Sequence, residues 1–230
     1  MIHAENSECI TWLTGKLEQA GKLAPKYHAT SRPRPVEREA THRAITLAEL
    51  LDVPVLIVHV SAREAVQEIQ RAQARGLKVF GETCPQYLFL TAADMDQPGF
   101  EGAKYVCSPP PRDAANQEFV WRGIANGTLG VFSSDHAPYR YEDPEGKKLH
   151  GEAASFKSIP NGVPGLEIRL PMLFSEGVLK GRITLEQFVE VTATRAARIY
   201  GLHPRKGTIA VGADADIAIW DAAREVTISS

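Results

Sequence analysis

The stretch "PVLIVHVSAREAVQEIQRAQARGLKVFGETC" (54–84) decides the fold class. Its first eight residues, 54–61, are mostly apolar and rich in valine and isoleucine, which predicts a fully buried strand. Ser61 stands at an N-cap position with Glu64 three residues on, the spacing of a capping box. Ala65, Ile69 and Ala72 then recur at helical intervals, and Gly76 closes the helix. A second strand follows at once in "KVFGETC" (78–84). Strand, helix and strand in this order are the signature of an α/β fold with parallel strands.

The flanking sequence extends the pattern. A helix is predicted from about Pro35 to Leu51, with Ala40, Ala44, Leu47, Ala48 and Leu51 along its inner face. "TLGVFSSD" (128–135) predicts a further strand, fed by a helix around 114–125. From Ser134 to Pro164 the chain is rich in Gly, Pro, Ser and charge without a sustained period, and a loop of that length in a domain is usually functional. "TLEQFVEVTATRAARIYG" (184–201) predicts a helix capped by Thr184, with Gln187 at the capping-box position and Gly201 at its end. The pattern changes near residue 204, where "GTIAVGADADIAIWD" reads as two short antiparallel strands around a turn at "GADAD".

Composition excludes several function classes. The 230 residues carry a net charge of −2 with no dominant basic stripe, which argues against nucleic acid as a main partner. The longest apolar runs, such as "VPVLIVHV", are too short to span a bilayer, so no membrane role is expected. "MIHAENSECITWL" lacks the basic and apolar regions of a signal peptide. Cys9, Cys84 and Cys107 are few, odd in number and scattered, which points to a reducing cytoplasm. No CxxC pair is present, so any metal site must rest on His and carboxylate ligands.

Three strand ends carry a side chain able to bind metal: His3 in "IHAEN", His59 in "IVHVS" and Asp135 in "VFSSDHAP". In parallel α/β barrels the catalytic groups gather at the C-terminal ends of strands. Singly, each has a plainer explanation, a hydrogen-bonded core histidine or a turn aspartate. Their recurrence at successive strand ends is what points to a site. His28, His42, His150 and His203 read as surface residues, and His136 as an exposed neighbour of Asp135. Cys84 and Cys107 lie close to prolines without an evident base, which disfavours a cysteine nucleophile. No GxGxxG, P-loop or GxSxG occurs.

"HAEN", "HVS", "GETCPQYLFLT", "GAKYVCSPPPR", "SSDHAP", "IPNGVPGLEIRLPMLFSEGV" and "RKGTIAVGADADIAIWD" together resemble the D-hydantoinase/dihydropyrimidinase family of cyclic amidohydrolases, in that family's order and along the whole chain. "YVCSPPPR" is the segment that best separates it from allantoinases and dihydroorotases. The resemblance implies a TIM-like (β/α)₈ barrel with a binuclear centre of divalent metal ions, usually Zn2+, and a small β-sandwich. His3 would end strand five and His59 strand six, both on the more exposed metal. Asp135 would end strand eight, bind the more buried metal and shuttle the proton. Ser108 and Asn161 match positions whose backbone groups hydrogen-bond the cyclic amide substrate. By the same resemblance, residues 1–203 are the second half of the barrel and 204–230 begin the C-terminal part of the sandwich. The implied partners are a small cyclic amide or ureide and further copies of the chain, as a homotetramer.

The family's HxH pair and bridging carboxylated lysine have no counterpart in this sequence, nor has its substrate-contacting tyrosine. The expectation is therefore a C-terminal half that is poorly active alone, with open sheet edges that favour association. The competing readings are a non-catalytic scaffold relative and allantoinase or dihydroorotase specificity.

Overall fold

Val55, Leu56 and Ile57 form the first strand, β1 (Val55–Ile57), and all three are buried. The computed structural model describes residues 1–227. Three helices precede β1: α1 (Ser7–Gln19), α2 (Tyr27–Ser31) and α3 (Arg34–Leu50). Helix α4 (Arg63–Ala74) then leads to β2 (Val79–Thr83). After the short α5 (Gln86–Phe89), helix α6 (Ala114–Ala125) leads to β3 (Leu129–Phe132). The three strands make one parallel sheet in the order β1-β2-β3, with Val55 opposite Val79 and Gly81 opposite Leu129. Ile2 adds a parallel bridge on the outer side of β1: its N–H donates to the Leu56 carbonyl at 2.9 Å and its carbonyl accepts from Val58 N–H at 3.2 Å. His3 thus leaves the sheet beside His59.

The α/β class and the parallel sheet expected from the strand–helix–strand pattern are both present. The strands are shorter than their apolar runs, and β1 ends two residues before His59, whose left-handed backbone interrupts the regular ladder. Helix α4 buries Ala65, Val66, Ile69 and Ala72 against the strands, and α6 adds Val120, Trp121 and Ile124 to the same core. A second cluster of Met95, Phe100, Ala103, Val106, Phe156 and Ile159 lies under the long loop.

Three local expectations are corrected. Ser61 does not cap α4. Its N–H and that of Ala62 donate to Glu37 Oε1 at 2.8 and 3.1 Å, and its hydroxyl donates to Glu37 Oε2 at 2.5 Å. The Arg63 N–H goes to Asn116 Oδ1 at 2.8 Å. A buried carboxylate from α3 and an amide from α6 therefore satisfy donors that a helix start leaves unpaired, where a negative charge is favoured. Leu47 and Leu51, expected inside, are exposed. The buried stripe of α3 runs through Val36, Ala40, Ala44, Ile45 and Ala48 instead. Leu47 lies at its margin and Leu51 lies beyond the last helical residue.

The tail also differs. Residues 204–227 contain no strand, and 228–230 of the expected sandwich segment lie outside the described residues. A strand needs a partner edge for its ladder hydrogen bonds, and here Ile209, Val211, Ile217 and Ile219 remain exposed. Trp220 anchors this part, stacked 4.9 Å from the Phe174 ring, and the Gly207 carbonyl accepts from Thr194 Oγ1 at 2.7 Å. The helix beginning at Leu185 carries the expected Thr184/Gln187 capping box. Among the described residues no helix is long and apolar enough to cross a membrane.

Candidate active site

His59 and Asp135 follow β1 and β3, and each has a left-handed backbone, φ 40° and 45°. Non-glycine residues adopt that region rarely, His and Asp more readily than most, and such departures cluster where side chains are held for function. Val60 N–H then returns to the ladder, donating to the Glu82 carbonyl at 2.7 Å. His59 is buried and His3 half-exposed. The His3 Nδ1 and His59 Nε2 atoms face each other at 2.8 Å, with the rings edge to face. Burial pushes the His59 imidazole below its ordinary range, and the His3 ring adds to this, while Asp135 and Glu37 pull it back up.

The other nitrogen of His3 is held from behind. Nε2 lies 3.1 Å from Glu5 Oε2, which also accepts from Arg32 Nη1 at 3.0 Å. Burial would raise the Glu5 carboxyl, but the His3 hydrogen bond and the Arg32 charge outweigh it, leaving it below its usual value. An acceptor on Nε2–H leaves the Nδ1 lone pair of His3 free to face His59, the arrangement typical of an imidazole ligand backed by a carboxylate. Glu82, at the end of β2, accepts from Ser133 Oγ at 2.8 Å and from the His59 N–H, and burial raises its carboxyl.

Ser108 and Asn161 are brought together from distant loops: Ser108 Oγ donates to Asn161 Oδ1 at 2.8 Å. Two surface hollows lie elsewhere. One is between Gly127, Gly130, Gln187 and Arg195, the other between Asp52, Val53, Gly76 and Lys78. Both are at the starts of strands, whereas His3, His59 and Asp135 lie at the opposite ends, and of these three only His3 and His59 are shown in contact.

Two imidazole nitrogens converge, and among the described residues His59 Nδ1 is buried without a hydrogen-bond partner. Nitrogen and carboxylate oxygen suit Zn2+ and its neighbours. Among the described residues no group of three or more His, Cys, Asp or Glu is close enough to form a complete site. The residues present therefore fit part of a metal site.

Residues 39–229 match the model of the amidohydrolase family. The chain belongs to that family. Among its amidohydrolase relatives, a D-hydantoinase of Rhizobium radiobacter is 50% identical over 228 residues, covering 99% of this chain and 49% of that protein. A D-hydantoinase of Geobacillus stearothermophilus is 50% identical over 230 residues, covering 100% of this chain and 48% of that protein. The dihydropyrimidinase structure from Brevibacillus agri NCHU1002 superimposes with a TM-score of 0.89 at 48% identity, covering 93% of this chain and 45% of that one. The chain spans about half the length of the curated relatives it matches.

His28 is not a surface residue: it is 2% exposed, with Nε2 2.9 Å from the Cys107 carbonyl and 3.2 Å from Ser108 Oγ. His42, His150 and His203 are exposed as expected, and so is His136, whose Nδ1 accepts from Gly165 N–H at 3.1 Å. Burial raises the Cys84 thiol well above its ordinary value and that of Cys107 to about 12, so neither is a ready nucleophile. Glu5 and Glu82 were missed by sequence reasoning, although each stands within two residues of a strand-end signal.

Burial, with the Arg32 charge behind it, lowers His28 to about 3. An imidazole in the unfolded chain takes up its proton near its ordinary value of about pH 6.5. Between those limits the unfolded state binds the extra proton, so stability falls as pH falls, by about 1.4 kcal/mol per unit. His28→Gln is expected to flatten the stability curve by that slope between about pH 6 and pH 4. Urea midpoints measured across this range provide the check, and an unchanged slope would place the proton uptake elsewhere.

Proposed function

We propose that this chain supplies one half of the active site of a metal-dependent cyclic amidohydrolase that opens the ring amide of hydantoins or dihydropyrimidines to N-carbamoyl amino acids. The observation carrying this reading is the His3–His59 pair, two imidazole nitrogens 2.8 Å apart at adjacent strand ends, in a chain half identical to proteins named D-hydantoinase. In this reading residues 1–203 are barrel strands five to eight with their helices, and 204–230 belong to a β-sandwich. The protein would work as a cytoplasmic homo-oligomer, a tetramer by resemblance.

His3 and His59 would hold one divalent ion and Asp135 a second, both Zn2+ by their donor set. The HxH pair and bridging lysine would come from the preceding half. When bound, such ions lower the pKa of a coordinated water and polarise the ring carbonyl. Glu5 fixes the His3 tautomer through Nε2. Asp135 takes the proton of the attacking water and, as the acid, returns it to the departing ring nitrogen. The peptide groups of Ser108 and Asn161 hold the ring amide, so these contacts survive changes of side chain.

The test is co-expression of this chain with the preceding half of the Geobacillus stearothermophilus D-hydantoinase. The expected result is zinc-dependent opening of hydantoin or dihydrouracil, with the N-carbamoyl product identified and the activity lost on chelation. A well-formed assembly that binds zinc but opens neither ring overturns the proposal. Selective opening of allantoin or dihydroorotate would reassign the substrate.

A further inference from the structure

The long loop between Ser134 and Pro164 carries a lysine that neither the fold nor the proposed chemistry has used. Lys147 is 2% exposed. Its Nζ donates to three main-chain carbonyls, Val106 at 2.8 Å, Pro160 at 2.7 Å and Gly162 at 2.6 Å. An ammonium has three donors and here all three are used. Burying that charge is costly unless its hydrogen bonds are complete.

The three acceptors come from two segments far apart in sequence. Val106 stands two residues before Ser108, while Pro160 and Gly162 flank Asn161. Gly162 N–H also donates to the Val106 carbonyl at 3.0 Å. Lys147 is itself set by a tight turn in which its N–H donates to the Arg140 carbonyl at 2.9 Å. A Cβ on Gly146 would overlap that same carbonyl, so the turn requires glycine.

We propose that the Lys147 ammonium is a positioning group that staples the 106–108 and 160–162 segments together and so presents Ser108 and Asn161 as one binding surface. The link to a ring substrate rests on the function proposed above. The staple itself rests on the three carbonyls alone.

Nζ lies 5.8 Å from the Tyr139 ring centroid, and the Cys107 thiol and His28 imidazole are the titratable groups near enough for a charge to act between them and Nζ. Burial holds Cys107 up at about 12 and His28 down at about 3, so both stay neutral around pH 8. Burial also lowers Lys147 itself to about 8. A neutral amine keeps only two hydrogens and must release one of the three carbonyls.

Three measurements on the 230-residue chain decide the staple. In the wild type, the carbonyl carbon shifts of Val106, Pro160 and Gly162 are expected to move together as Lys147 loses its proton, with one shared midpoint at about 8 or above. In Lys147→Met, exchange of the Gly162 amide is expected to quicken by roughly tenfold or more. In Lys147→Ala, ammonium chloride is expected to slow that exchange again, while sodium chloride at equal ionic strength does not. Unlinked carbonyl shifts, unchanged exchange in the methionine variant, or equal effects of the two salts would each overturn the staple. If either variant fails to fold, the wild-type titration decides. In the co-expressed assembly, Lys147→Met is expected to raise KM for hydantoin more than it lowers kcat, and an unchanged KM overturns the positioning role. Absence of ring opening in the wild-type assembly overturns the proposed function, and the carbonyl and exchange results then judge the staple by themselves.

Discussion

Arg112→Met is expected to destabilise the chain by about 3–5 kcal/mol, the cost of leaving one member of a buried ion pair alone. Arg112 Nη2 meets Glu37 Oε2 at 2.9 Å, and both side chains are almost fully buried. Nε donates to Ser61 Oγ at 3.0 Å and Nη1 to the Arg32 carbonyl at 2.5 Å. Removing the guanidinium strands the Glu37 carboxylate in the core and unpairs the Arg32 carbonyl. The double change Arg112→Met with Glu37→Leu is expected to recover only part of the loss. Apolar replacement of a buried pair is often neutral, but here the Ser61 and Ala62 N–H groups would lose their acceptor. Each buried donor left unmade costs about 1–3 kcal/mol. Guanidinium chloride midpoints of the two single variants and the double variant provide the check. A loss below about 1 kcal/mol in Arg112→Met would show that the pair contributes no more than a surface one. The effect also reaches the site, because Arg112 holds the Arg32 backbone and Arg32 holds Glu5 behind His3.

Features written in neighbouring residues were legible before the structure. The three apolar runs became the parallel strands, and the Thr184/Gln187 capping box formed as read, because donor and acceptor are three residues apart. Ser61 and Glu64 offered the same local signal and lost to Glu37. A carboxylate 24 residues upstream reaches the α4 N-terminus and brings Arg112 with it, a competition that spacing alone does not reveal. His28 was misread for a related reason. Nothing in "YHATS" is periodic, and its burial comes from the Cys107 loop, 79 residues on. The His3–His59 pair was legible because strand ends in a parallel sheet converge by construction. The carbonyl nest around Lys147 was not, since any residue supplies a carbonyl and its side chain leaves no mark on the pattern.

Asp135→Asn is expected to lower kcat for ring opening in the co-expressed assembly by about 10²–10⁴-fold, the usual contribution of a positioned general base. Asparagine is the informative replacement because of the backbone. Asp135 sits at φ 45°, a conformation that Asn adopts as readily as Asp, so the segment after β3 keeps its shape. The amide has nearly the same size but cannot take the proton of the attacking water. It also removes a negative charge that acts on both His59 and Glu82. Metal content separates the two roles proposed for this side chain. If Asp135 moves the proton, the variant loses far more activity than zinc. If it only binds metal, activity and zinc fall in proportion, and added zinc restores both. Activity within about tenfold of the wild type at full zinc occupancy would remove Asp135 from the proton path, leaving Glu82, the other carboxyl beside His59, as the next group to test.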